Sequence, residues 1–281
     1  MTYKSAVELL TILREKNIII YGLGFQALRF YEALKIYGLD KKVQCFITSY
    51  LEETVKRPCI DGIPVEWVDN MVFDYNIMIC IAMHESIKEG AIFQLNHRGV
   101  ENYIWIAPYL LELEIGEPPQ KEIEVDLYKI WERNREDYSI AIRYLVIENY
   151  YKGNTIGYDL YKQFMQVAAS EKTAEKRLQQ FLSLIQSWEK QGYNKDAIIS
   201  ILDNYEIFDG KHRFTVALFW GQKSIMCQIF RQTERTFAFY SNMRNHKRIL
   251  TREDVINIGF QTEIVKILDE TILKMGAQYE N

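Results

Sequence analysis

Cysteine and histidine are both sparse, with four of each in 281 residues. Cys45, Cys59, Cys80 and Cys227 show no Cys-x-x-Cys spacing and no histidine set at zinc-finger intervals, which excludes a zinc module built from sequence-local ligands. Three of them lie in or beside apolar strand-like runs, where a free thiol behaves as a small hydrophobe, so all read as reduced core thiols. No stretch approaches the roughly 18 uninterrupted apolar residues of a bilayer helix, so no membrane span is expected. The opening MTYKSAVELLTILREKN carries Lys and Glu throughout and lacks the apolar core of a secretion signal. A cytoplasmic location is the expectation. Positive charge is not in excess either: 34 Lys and Arg against 38 Asp and Glu leave a formal −4. Coating nucleic acid needs clustered cations, so no DNA partner is expected, while a local basic pocket for a small phosphate compound stays compatible. Internal repeats and low-complexity tracts are also missing from the sequence.

What is present is ordinary globular composition, 48% hydrophobic and 26% charged, which argues against a disordered chain. At roughly 150 residues per domain the length fits about two. The 19 Tyr, 14 Phe and 5 Trp supply material for two cores.

The first hundred residues alternate strand and helix signals. Ile18 to Ile20 is a β-branched run, followed by a Gly22-Leu23-Gly24 turn and a helical pattern through Leu28, Tyr31 and Leu34, closed by Gly38. Val43 to Thr48, Asn76 to Ala82 and Tyr103 to Ile106 read as further strands, with a helix from about Glu85 to His97. Strands alternating with helices imply a parallel sheet covered on both faces. Leu110 to Glu124, with Pro118-Pro119 and many acids, breaks the rhythm and is the expected linker. Helical patterning then resumes from Val125 to about Tyr151, and Ala174 to Gln191 is amphipathic through Leu178, Phe181, Leu182, Ile185 and Trp188, ended by Gly192. Strands at Ala197–Asp203, Tyr205–Phe208 and Ser224–Phe230, a helix from Lys211 to Trp220, a helix start at Thr251 and a helix from about Thr262 to Met275 complete the chain.

Two turns have residues that could carry chemistry. Gly22-x-Gly24-x-x-Ala27 lies between a strand and a helix, where glycines let backbone N–H groups approach a phosphate. The same glycines could serve only a tight turn and close helix packing. A dinucleotide site would place an acid at the end of the second strand; Ile47-Thr48-Ser49 stands there, and Glu52 and Glu53 follow late. The sharper signal is Phe208-Asp209-Gly210-Lys211-His212-Arg213, a strand running through Asp-Gly into an apolar-faced helix with Lys, His and Arg in its first turn. Cations there oppose the helix dipole by several tenths of a kcal/mol each, a cost a bound polyanion would offset. The alternative is a plain turn with solvated basic residues. His84 and His97 read as structural, Trp188 and Trp220 as packing. Tyr144 to Tyr161 is a tyrosine-rich stretch better suited to half-buried positions than to a sugar platform. His246, within Arg244–Arg248, is either solvated surface or the lining of an anionic-substrate entrance.

Residues 15–108, with the Gly-x-Gly turn, Gly62-Ile63-Pro64-Val65 and the apolar strand before the last helix, resemble a Rossmann-like domain of bacterial surface-polysaccharide enzymes. That resemblance implies room for a nucleotide-sugar or NAD held at Gly22 and Gly24. Residues 155–230 resemble the ParB/sulfiredoxin superfamily, through Arg177-Leu178, Gln191-Gly192-Tyr193, the strand to Asp203 and the Asp209-Gly210-Lys211-His212-Arg213 loop. Sulfiredoxins carry a catalytic Cys where this chain has Lys211, and ParB proteins add a helix-turn-helix module that the short tail does not match. The free-amino-acid-kinase branch, with its Asp-Gly-x-His-Arg loop, is what remains.

The expected fold is therefore α/β: a Rossmann-like parallel sheet over 1–115 and an α+β ParB/sulfiredoxin-like domain with flanking helices over 116–281. The kinase resemblance implies ATP-dependent phosphorylation of a small hydroxylated metabolite or sugar precursor, in surface-glycan assembly. Gly210, Lys211, His212 and Arg213 would hold the nucleotide, and His212 and Arg213 would neutralise the transferring group. Asp209 and Asp203 would help hold Mg²⁺ or the acceptor, and Glu175 (or Glu171) would activate the acceptor hydroxyl. A non-catalytic nucleotide sensor or scaffold, and a nicotinamide-dependent oxidoreductase, are the rival readings. A homodimer is left open.

Overall fold

The computed structural model describes residues 5–49, 59–167, 170–194, 197–234 and 249–277. The chain forms two compact units that part between Pro118 and Pro119. Thr233 and Glu234 belong to the first unit and residues 249–277 to the second.

The first unit is a six-stranded, mostly parallel sheet. Its strands are β1 (Asn17–Tyr21), β2 (Val43–Thr48), β3 (Cys59–Ile60), β4 (Ile63–Trp67), β5 (Ile77–Ile81) and β6 (Tyr103–Trp105), in the order β3-β4-β2-β1-β5-β6. Among the described residues only the short β3–β4 pair of this sheet is antiparallel. Helices cover both faces: α1 (Ala6–Glu15), α2 (Phe25–Ile36) and α4 (Leu110–Ile115) on one, and α3 (Glu85–His97) on the other. This is why β1 is apolar at nearly every position. Successive side chains alternate between faces, so Ile18 and Ile20 join the α1–α2–α4 core while Ile19 and Tyr21 join the α3 core.

The second unit has a four-stranded mixed sheet of β7 (Lys121–Asp126), β8 (Ile199–Leu202), β9 (Ile207–Asp209) and β10 (Ser224–Phe230), in the order β7-β10-β8-β9. β10 runs parallel to β8 and antiparallel to β7, and β8 and β9 form an antiparallel pair. Its helices are α5 (Leu127–Asn134), α6 (Tyr138–Lys152), α7 (Ile156–Gln166), α8 (Glu171–Gln191), α9 (Lys211–Phe219), α10 (Arg252–Asn257) and α11 (Thr262–Ala277). α6 is the central one. Eleven of its fifteen residues are buried, and α7, α9 and α11 pack around it.

Local chemistry sets the helix ends. The Ser170 side chain caps α8 by accepting from the Thr173 amide, and Gly192 ends it at φ 73°. Thr251 and Asp254 form a reciprocal capping box on α10.

The expected linker is narrower than the sequence suggests. Leu110 to Ile115 form α4, whose Leu110 and Leu113 enter the first core, and Lys121 to Asp126 form β7 against β10. Glu114 of α4 is buried and paired with Arg29, whereas Glu122, Glu124 and Asp126 are exposed residues of an edge strand, where charge discourages pairing with another chain. Glu52, Glu53 and the Arg244–Arg248 run with His246 lie outside the described residues.

Candidate functional site

Gly210 is the N-cap of α9, in the left-handed region at φ 96° and ψ 21°. A Cβ there would stand 2.7 Å from Ile199 Cγ2 and 3.2 Å from Ile199 Cα, so both conformation and space require glycine. Having no side chain, Gly210 places no acceptor on the first-turn amides. The next three residues are about 100° apart around the helix, and they fan out towards three different elements.

Lys211 turns to the start of α6. Its Nζ lies 2.5 Å from Oδ2 of Asp137 and 3.5 Å from Oγ of Ser139. Asp137 is fully buried; its Oδ1 accepts from the amides of Ser139 and Leu250, while Oδ2 is an ion-pair partner without hydrogen-bond alignment. Arg213 turns to β8, donating from Nη1 to the carbonyl of Ile198. His212 turns to α7 and α8. Its Nε2 shares a 2.7 Å hydrogen bond with the Tyr161 hydroxyl, and its ring packs 4.5 Å, centroid to centroid, from Phe181.

The His212 side gathers positive charge. Arg177 precedes Phe181 by one turn of α8 and so shares its face. Arg143, on α6, is 7% exposed and lies over the rings of Tyr161, at 5.8 Å, and Phe164, at 5.6 Å. Its Nη1 donates to the carbonyl of Ser139, and its buried Nε has no hydrogen-bond partner. Burial first, then Arg143, Arg177, Arg213 and Lys211 together, hold the His212 pKa well below the ordinary histidine range. His212 is therefore neutral at pH 7. Burial raises the Tyr161 pKa, against the pull of Arg143 and Arg177, so its hydroxyl keeps its proton.

The expected site residues are thus distributed unevenly. Gly210, Lys211, His212 and Arg213 are together at the α9 tip, but Lys211 is already matched to Asp137, so the cost of its charge near the helix N-terminus is met largely inside the protein. Asp209 is exposed at the end of β9, next to the tip. Asp203 lies elsewhere. Asp209 is paired with Ser200, three residues from Asp203, so about 10 Å of strand separates the two aspartates. Asp203 Oδ1 accepts from the Gln232 amide. Glu175 is exposed on α8, receives a hydrogen bond from Gln179 and lies 3.7 Å from Lys162 on α7. Among the described residues no three His, Cys, Asp or Glu side chains are grouped as a metal site.

Sequence reading passed over Arg143 and Asp137 and took Tyr161, in its tyrosine-rich stretch, as packing. Arg143 had a visible signal: it is the one charged residue in Tyr138–Ile147, an otherwise apolar stretch too hydrophobic for a surface helix. In the first unit, a Cβ on Gly22 (φ 131°) would stand 2.7 Å from the Ala82 carbonyl oxygen, so close approach to the end of β5 accounts for that glycine. Gly24 caps α2 with open space around it. The Ser49 hydroxyl, after β2, is bonded to Tyr21 and Gln94.

Comparison with protein-family models, curated proteins and solved structures finds no match.

Proposed function

We propose that the second unit is an ATP-dependent phosphotransferase of ParB/sulfiredoxin-like architecture, acting on a small hydroxylated metabolite or sugar precursor, and that its phosphate site is the tip of α9. The observation that carries this reading is the excess of cations there. Arg143, Arg177, Lys211 and Arg213 all act on His212, and Asp137 acts on Arg143 and pairs with Lys211. Uncapped amides and a helix dipole add to that attraction for an anion.

Phosphoryl transfer relies on positioning and charge neutralisation. The γ-phosphoryl group would pass from ATP to an acceptor hydroxyl, leaving ADP, with Glu175 assigned to the departing proton. Arg213 supplies fixed charge, and His212, neutral before binding, supplies a hydrogen bond. A single carboxylate beside nucleotide phosphates suits Mg²⁺, which usually keeps several waters. Asp209 fits that part by position, and the ion would there offset phosphate charge. Asp203 is too far along the hairpin to share it.

The first unit, on this reading, is Rossmann-like, and the open N-cap at Gly24 is where a nucleotide-sugar or NAD would lie. A cytoplasmic role in surface-glycan assembly rests on the resemblance of residues 15–108. The sensor reading shares the α9 tip and differs only in lacking turnover.

The test is incubation with Mg-ATP and a panel of amino acids, hydroxy acids and sugars, followed by phosphorus NMR. Formation of ADP with a new phosphate ester is expected, and Arg213→Ala should abolish it. Tight ATP binding without turnover on any acceptor selects the sensor. ATP affinity unchanged by Arg213→Ala, measured by calorimetry, removes the α9 tip from either reading.

A further inference from the structure

Lys211 and Arg213 leave the α9 tip in directions away from His212, towards Asp137 and Ile198. What faces His212 is a separate lateral wall made by α6, α7 and α8. Its centre is Arg143, more than nine-tenths buried, lying over the rings of Tyr161 and Phe164, with Nε unpartnered and Nη1 on a backbone carbonyl. Arg177 acts on Arg143 with like charge. The carboxylate that acts on Arg143 is Asp137, and it already serves Lys211 and two amides. A buried guanidinium beside a second one is tolerated only with an anion near, because uncompensated buried charge is costly. The planar fork of arginine suits a group with two oxygens in one plane.

We infer that Arg143, with Arg177 and the Tyr161–His212 pair, forms an oxyanion subsite beside the α9 tip, binding a carboxylate or phosphate group of a small ligand. Either an anionic acceptor or the phosphate chain of the nucleotide presents that chemistry. Assignment to the acceptor rests on the phosphotransferase reading; the subsite itself does not.

Inorganic phosphate is the probe, titrated calorimetrically into the full chain at pH 7, alone and with saturating Mg-AMP-PNP. Arg143→Met should weaken phosphate about tenfold or more, since a charge-assisted contact is lost. Arg177→Met, at a half-buried position, should weaken it too, and it covers the case in which the α6 variant fails to fold. Phosphate that binds alongside AMP-PNP supports the subsite with a separate anionic ligand. Phosphate displaced by AMP-PNP, with both weakened by Arg143→Met, supports it with the nucleotide as source. Absence of phosphate binding to the wild-type chain, or equal affinity in the wild type and both variants, overturns the inference. Phosphate binding that depends on Arg143 in a chain that ignores AMP-PNP would sink the phosphotransferase reading and leave the subsite standing.

Discussion

A single glycine decides whether the α9 tip can exist. Gly210 combines a left-handed backbone with direct contact on Ile199, so Gly210→Ala meets both dihedral strain and a clash with β8. A loss of about 2 kcal/mol or more is expected in urea denaturation; a change under about 0.5 kcal/mol would show that the loop relaxes freely. His212 makes a pH prediction. Its folded pKa lies well below the unfolded value of about 6.5. Below about pH 6.5 the unfolded chain takes up a proton that the folded chain refuses, so the contribution of His212 to stability is intact at pH 8 and is lost as pH falls. The groups facing it are Arg143 from α6, Tyr161 from α7 and Arg177 from α8, and the charges of Lys211 and Arg213 on its own helix act on it as well. His212→Gln should flatten the slope of stability between pH 8 and 5.5. An unchanged slope would assign the acid loss to other groups.

At the scale of elements, Asp137 ties three pieces of chain together. It caps α6 through the Ser139 amide, receives the Leu250 amide ahead of α10, and pairs with Lys211 of α9. Removing one partner of a buried ion pair strands the other. Asp137→Ala should therefore cost about 3 kcal/mol or more, with the added loss of a helix cap. Asp137→Asn, which keeps the capping oxygen, should cost less. Equal losses in thermal denaturation would mean that the cap matters little and the charge is everything. Arg143 of α6 has two ring faces, a carbonyl and the pull of Asp137 for neighbours, with Nε left over for the proposed anion.

For the whole molecule, the two units have separate hydrophobic cores, and the cation cluster belongs wholly to the second. An anion that binds the folded state stabilises it by RT ln(1 + [L]/Kd), about 2.7 kcal/mol at a hundredfold excess over Kd. Sulfate, which does not titrate near neutrality, should slow hydrogen exchange in α6 to α9 of the full chain and leave the amides around Gly24 unchanged. Protection centred on Gly24 instead would move anion binding to the first unit.

Much of this architecture was legible in one dimension. The unbroken apolar runs of β1 and β5 announced strands buried on both faces, Gly38 and Gly192 marked where helices stop, and the 3.6-residue spacing of Leu178, Phe181, Ile185 and Trp188 fixed the buried face of α8. Local geometry also made Gly210 and its three basic successors conspicuous. Distance along the chain hid the remainder. Lys121–Glu124 read as the end of a linker because an exposed edge strand and a charged connector share a composition, and only pairing with β10, about a hundred residues later, separates them. Whether Lys211 awaits a ligand or already has Asp137 is decided by the packing of α6 on α9. Arg143 is a lone charge in an apolar stretch, a signal the sequence reading did not use, and its convergence with Arg177 and His212 joins three helices. Sequence periodicity determines which face of a helix is buried; which buried charges meet there depends on how the helices cross.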